Sequence, residues 1–202
     1  VCDDDASNDC VADCAGNYEG EDDYGVEIDI RSYGEDLILH HEPFTKGEKL
    51  TNWIEYYNHR YLILNVKEDG LEDEIMKLME KNSIQNFFFL DQPFPTLVKY
   101  LNKGNSRSAI RLSEYEPPQM SYQFSKKIDW IWADCFNNYF LNEEISNNLQ
   151  KMEFKVCLVS PELQGRMQEK EIQDAYDFIK TNNIAIDAIC TKRIDLWKKL
   201  ID

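Results

Sequence analysis

Short apolar runs rich in β-branched and aromatic residues alternate along most of this chain with segments patterned for amphipathic helices. That alternation constrains the fold more than any other feature. The runs cover residues 25–30, 37–41, 61–67, 87–91, 109–113, 130–134, 155–160 and 188–191, each with the length and composition of a strand. Helical spacing predicts helices over 50–57, 71–81, 94–101, 142–152, 169–181 and 195–201. In the first, Leu50, Trp53, Ile54 and Tyr57 share a face, as do Leu71, Ile75, Leu78 and Met79 in the second. Several strands are apolar on both sides, the pattern of a parallel sheet covered by helices. An α/β chain of this kind forms either a (β/α)₈ TIM-type barrel or an open doubly wound sheet. No glycine-rich phosphate turn follows any strand, which weakens the nucleotide-binding sheet. Many runs end instead in polar residues (Glu27 and Asp29, His41, Asn65 and Lys67, Asp91, Arg111, Asp134, Ser160, Thr191). Barrel enzymes place their chemistry at those carboxyl ends, so the barrel is expected.

The 202 residues suit one domain. Residues 1–23 stand apart as an acidic, irregular segment. Asp3, Asp4, Asp5, Asp9, Asp13, Glu19, Glu21, Asp22 and Asp23 crowd there without Leu, Ile, Phe, Lys or Arg. The residue order of a calcium loop is absent. Cys2, Cys10 and Cys14 form no Cys-x-x-Cys and have no nearby histidine, which argues against zinc. The net charge of −16 repels phosphate backbones and anionic lipid surfaces, so nucleic acid is not the expected partner. No run approaches the roughly 18 apolar residues of a membrane span. The first residues also lack the basic and apolar parts of a signal peptide. A reduced, cytoplasmic setting is expected, with Cys135, Cys157 and Cys190 as buried thiols inside apolar runs.

The strongest chemical signal lies in Gly25-Val26-Glu27-Ile28-Asp29-Ile30. Residues two apart on a strand share a face, so two carboxylates project together from a strand that is otherwise apolar. A hard divalent cation, Mg²⁺ or Ca²⁺, is their natural occupant; a solvated strand end is the bland alternative. Beyond a Gly34 turn comes His40-His41-Glu42-Pro43. Only one of those histidines can share a face with the carboxylates, and His41 is the expected proton donor, against a packed, hydrogen-bonded histidine. His59 reads as surface. Asn65 and Lys67 share a face at the end of another apolar run. Lys67 suits a phosphate oxygen and Asn65 a substrate or metal, against a lysine reaching out to solvent. Arg111 and Asp134, at two later strand ends, are expected to contact substrate; Asp134, after Trp130-Ile131-Trp132, reads equally as completing a metal sphere or as capping the next loop.

These residues resemble the glycerophosphodiester phosphodiesterase-like barrels of the phosphatidylinositol-phospholipase-C-like superfamily. Residues 25–30 are similar to that family's Gly-Val-Glu-Leu-Asp-Val, and His40-His41-Glu42-Pro43 to its His-Asp-Pro. Asn65-Val66-Lys67 is similar to its Glu-Ile-Lys, and residues 186–193 to its final Val-Asp-Gly-Ile-Ile-Thr-Asp-Arg. The resemblance implies a metal held by Glu27 and Asp29; Glu42, or Asp134, is expected to compensate for the anionic ligand missing at Asn65. It also implies His41 as one of two acid–base histidines and Lys67 at the phosphate. Asn65 stands where the family has a metal-binding glutamate. No histidine precedes His40, whereas the family's first strand ends in His-Arg. That strand therefore lies upstream of residue 1, or one histidine is lacking. The expected activity is metal-dependent hydrolysis of a small glycerophosphodiester or sugar-phosphate-type substrate. The alternative is a barrel that binds a phosphorylated ligand without turnover.

Overall fold

The structure, a computed structural model, describes residues 24–201; the expectations for residues 1–23 fall outside them. The chain divides into two compact units, Val1–Lys103 and Gly104–Asp202.

In the first unit, strands β1 (Gly25–Tyr33), β2 (Asp36–Leu39), β3 (Glu48–Lys49), β4 (Tyr61–Val66) and β5 (Phe87–Leu90) form one sheet. Its order is β3-β2-β1-β4-β5. β1 pairs in parallel with β4, from Gly25 opposite Tyr61 to Ile30 opposite Val66, and β4 in parallel with β5. β2 departs from the expected pattern. It folds back antiparallel on β1 as a hairpin whose turn holds Gly34 at φ 64°. The reason is length, because a parallel return needs a crossover of a dozen or more residues, and only a tight turn separates Tyr33 from Asp36. At Gly47 the chain passes so close to β2 that a Cβ would lie 2.1 Å from the Leu39 carbonyl oxygen. Only glycine fits there.

Strand alternation sorts the sheet's two faces. Val26, Ile28, Ile30, Leu62, Leu64, Val66, Phe87 and Phe89 join one buried cluster with Leu50, Trp53, Ile54, Ile75 and Met79. These last come from α1 (Leu50–Trp53), the 3₁₀ turn Ile54–Tyr56 and α2 (Glu72–Lys81). The expected helix over 50–57 thus splits into a short α-turn and a 3₁₀ turn. α2 starts with Glu72, Asp73 and Glu74 and ends with Lys81, charges that complement its dipole. α3 (Phe94–Asn102) completes the unit.

The second unit carries a fully parallel sheet of β6 (Ala109–Leu112), β7 (Trp130–Ala133), β8 (Lys155–Val159) and β9 (Ala188–Cys190), in that order. Between them run α4 (Gln119–Tyr122), α5 (Glu143–Lys151), the 3₁₀ turn Pro161–Gln164 and α6 (Glu169–Thr181). α7 (Ile194–Ile201) ends the described chain. Trp130, Ile131, Trp132 and Ala133 are all buried, as strands covered on both faces require. Cys135, Cys157 and Cys190 are buried free thiols. Burial pushes the Cys135 thiol up to about 11. Among the described residues no helix is long and apolar enough to cross a membrane.

Candidate active site

The other face of the first unit's sheet holds the polar cluster. β1 alternates Glu27 and Asp29 to that side, and the parallel register sets Asp29 beside Asn65 on β4. All three are nearly inaccessible, Glu27 at 4%, Asp29 at 3% and Asn65 at 7% exposure. Asn65 donates from Nδ2 to Glu27 Oε1 at 2.8 Å. Lys67, one residue beyond β4, brings its ammonium to 3.1 Å from Asp29 Oδ1. That contact is an ion pair without hydrogen-bond geometry, and Asp29 Oδ1 accepts no hydrogen bond. Asn65 Oδ1 is likewise buried without a hydrogen-bond partner. Two buried oxygens lacking a donor, beside two carboxylates and one ammonium, make a net negative pocket of oxygen ligands. Such oxygens cost stability unless a cation, a water or a ligand proton meets them.

The histidine that joins this cluster is His40, not the expected His41. In the hairpin, Ile30 pairs with Leu39, and the His40 amide donates to the Asp29 carbonyl at 3.1 Å. One step along that register, His40 lies across from Asp29, and cross-strand partners share a face. It is buried, at 4% exposure. The Glu42 amide donates to His40 Nδ1 at 2.9 Å, while the Glu42 carbonyl lies at 3.1 Å from the same nitrogen. A backbone N–H can only donate, so the nearer contact makes Nδ1 the acceptor and leaves the neutral ring's proton on Nε2. His41 points away and its exposed ring pairs with the Glu42 carboxylate at 2.8 Å. That bond, with the ring's charge, holds the Glu42 carboxyl below its usual range. Glu42 is therefore bound to its neighbour in an exposed loop, away from Glu27 and Asp29. The hairpin register decides between the two: with Ile30 opposite Leu39, position 40 falls on the face of Asp29 and position 41 does not.

Arg31 fastens the hairpin over this cluster. Its Nε donates to the His41 carbonyl at 2.8 Å and its Nη1 to the Lys67 carbonyl at 3.3 Å. Ser32 adds hydrogen bonds to Glu68 from its amide and hydroxyl. Among the described residues, no group of three or more His, Cys, Asp and Glu side chains is placed to hold a metal ion. The oxygen set here is two carboxylates and an amide.

The remaining expected site residues lie in the second unit. Arg111 Nη1 stands 3.7 Å from Asp134 Oδ2, and Gln164 donates from Nε2 to Asp134 Oδ1. A buried carboxylate unmarked by the sequence, Glu162, accepts from Ser160 Oγ, Thr191 Oγ1 and the Lys192 amide. Trp197 Nε1 donates to Ser160 Oγ at 2.7 Å. The signal that could have found it is Ser160-Pro161-Glu162 closing an apolar strand, where a carboxylate can gather the strand-end hydroxyls. Its oxygens are satisfied within the fold, which makes it a brace for the ends of β8 and β9.

No family model matches the sequence, and comparison with curated proteins finds no match. Comparison with solved structures does. The fold is similar to that of a protein assigned as a glycerophosphodiester phosphodiesterase from Galdieria sulphuraria, with a TM-score of 0.63 at 14% identity over 89% of this chain and 86% of that one. It is also similar to a protein so assigned from Agrobacterium tumefaciens (0.62, 12% identity, 88% and 85%). A glycerophosphoryl diester phosphodiesterase from Parabacteroides distasonis gives 0.60 at 12% identity, over 88% and 75%. The fold is glycerophosphodiester phosphodiesterase-like. This is the α/β barrel class that the strand–helix alternation predicts.

Proposed function

We propose that the chain is a phosphodiester hydrolase acting on a small glycerophosphodiester or sugar-phosphate-type substrate, with a divalent cation at Glu27 and Asp29. The observation that carries this reading is the buried grouping of Glu27, Asp29, Asn65 and Lys67 with His40 on one face of a sheet in this fold. Its donor chemistry fits a hard cation, since Mg²⁺ and Ca²⁺ accept carboxylate and amide oxygens alike. Asn65 Oδ1, buried without a hydrogen-bond partner, would be the third ligand. Glu42 is not in the set. Such a cation would offset the negative charge of the pocket and polarise the phosphoryl oxygens.

The chain's own residues supply the rest. Lys67 places a fixed positive charge where a phosphoryl oxygen would lie, and Asp29 holds that ammonium in position. Protonated at both nitrogens, with Nδ1–H turned to the Glu42 carbonyl beside it, His40 gives its Nε2 proton to the leaving oxygen and becomes the neutral ring. The Arg31 hydrogen bonds keep the hairpin, and so His40, over the carboxylates.

Hydrolysis of bis(p-nitrophenyl) phosphate and glycerophosphocholine tests the reading, with Mg²⁺ or Ca²⁺ present and after EDTA. Glu27→Gln and His40→Asn are each expected to lower kcat/KM by about 100-fold or more, while His41→Asn stays near wild type. No turnover of either substrate with either metal would count against it.

One observation favours a second reading, that the site binds a phosphorylated ligand without turning it over. Asn65 occupies a position where a third carboxylate would strengthen the metal site, and its amide is committed to Glu27. Calorimetric titration with glycerophosphocholine showing saturable binding and no product would decide for this reading.

A further inference from the structure

A groove of about 420 Å³ opens elsewhere in the first unit, lined by residues 54, 55, 57, 59, 60 and 82–86. These segments lead into the first residues of β4 and β5, Tyr61 and Phe87. The groove therefore lies at the amino ends of those strands, whereas Asn65 and Lys67 stand at the carboxyl end. About six residues of extended strand separate the two ends, roughly 20 Å. It is a different place from the cluster around Glu27.

The lining has a definite chemical character. One wall is aromatic. Tyr57 and His59 meet with ring centroids 5.7 Å apart, and His59 stacks on buried Trp53 at 6.5 Å and 10°. That stacking fixes the wall's shape. Burial pushes the Tyr57 hydroxyl up to about 12, so it stays a protonated donor throughout the neutral range. The lining also carries amide and hydroxyl groups, with Asn82, Ser83 and Asn86 exposed in the turn between α2 and β5. Asn82 Nδ2 donates to the Leu78 carbonyl, which turns its remaining amide oxygen into the acceptor available to a ligand. Asn86 Nδ2 reaches the Arg60 carbonyl at a long 3.5 Å, a bond that a better acceptor displaces at little cost. One carboxylate, Glu55, and one guanidinium, Arg60, both exposed, complete the lining. Their charges oppose each other, so the groove selects neither anions nor cations.

Two aromatic rings, Tyr57 and His59, in one lining with planar amide, carboxylate and guanidinium groups complement a sugar ring. The ring's C–H face packs on the aromatic surface, and its neighbouring hydroxyls meet paired donors and acceptors in the lining. The volume falls within the range of small-molecule sites. We propose that this groove is a binding site for a neutral carbohydrate, a mono- or disaccharide. It is independent of the phosphodiester reading, because none of its residues belongs to the Glu27 cluster.

Calorimetry on the full chain with glucose, galactose, mannose, N-acetylglucosamine, maltose and lactose tests it, with inorganic phosphate as the anion control. At least one sugar is expected to bind saturably at millimolar or lower concentration, and phosphate is not expected to compete. Asn86→Ala and Glu55→Gln, both exposed substitutions checked for unchanged melting, should each weaken that sugar by about tenfold. Glu27→Gln should leave sugar binding unchanged even if it abolishes phosphodiester hydrolysis. Absence of saturable binding for the whole panel overturns the proposal, as does binding indifferent to Asn86→Ala and Glu55→Gln. Displacement of the sugar by phosphate also overturns it.

Discussion

At the scale of single residues, the site turns on how few positive charges face its acids. Asp29 is 3% exposed, and Lys67 meets it at 3.1 Å. Removing one partner of a buried pair leaves the other charge desolvated, which costs about 3 kcal/mol. Lys67→Met is accordingly expected to lose about that much stability in urea titration, and Mg²⁺ should restore part of it; a loss under 1 kcal/mol would mean that the pair is well solvated. Asn65 is the second pressure point. Asn65→Asp replaces an amide that donates a hydrogen bond to Glu27 by a third carboxylate. The variant should melt lower in EDTA than the parent chain, yet show a larger rise in Tm on adding Mg²⁺, with metal affinity about tenfold tighter. An equal Mg²⁺ response in the two proteins would place the cation away from Asn65.

At the scale of elements, the hairpin of β1 and β2 is the part on which the site depends most. Its third strand can approach only because Gly47 has no side chain, with Leu39's carbonyl 2.1 Å from where a Cβ would be. Gly47→Ala must push β3 off β2 or shift Leu39, at a cost of about 1–3 kcal/mol. Because Leu39 precedes His40, the same change should depress hydrolysis more than it depresses stability; activity loss that only tracks unfolding would argue against this coupling. The elements also show what a sequence can reveal. Residues 61–67 and 169–181 are legible because their periodicity is unbroken, and the structure gives Tyr61–Val66 and Glu169–Thr181. Glu27, Asp29, Asn65 and Lys67 are legible as a face because alternation and parallel pairing preserve it. His40 is not, since the choice between adjacent histidines hangs on the hairpin register, which pairs Ile30 with Leu39 and is set by the turn. Glu162 is hidden for a related reason. It lies in a loop, and its role comes from partners up to thirty positions away, such as the Lys192 amide.

At the scale of the whole molecule, the charge of −16 makes acid response informative. Glu114 illustrates the sign. Burial pushes its carboxyl up, but hydrogen bonds from the Asn137, Asn138 and Phe136 amides and its own outweigh that, and the net shift is downward. A depressed folded value contributes stability that is fully present above the ordinary value of 4.5 and is lost as pH falls through the folded one. The gap in urea midpoint between the parent chain and Glu114→Gln should therefore be constant from pH 7 to pH 5 and shrink towards pH 3; a gap that widens on acidification would reverse the assignment. The same view of the whole chain shows how local the site is. Glu27 and Asn65 are 38 positions apart, and His40 and Arg31 lie between them. Every member of the first unit's cluster thus lies within residues 25–67, so an alteration confined to that one stretch reaches the carboxylates, the ammonium, the histidine and the hairpin that aligns them together.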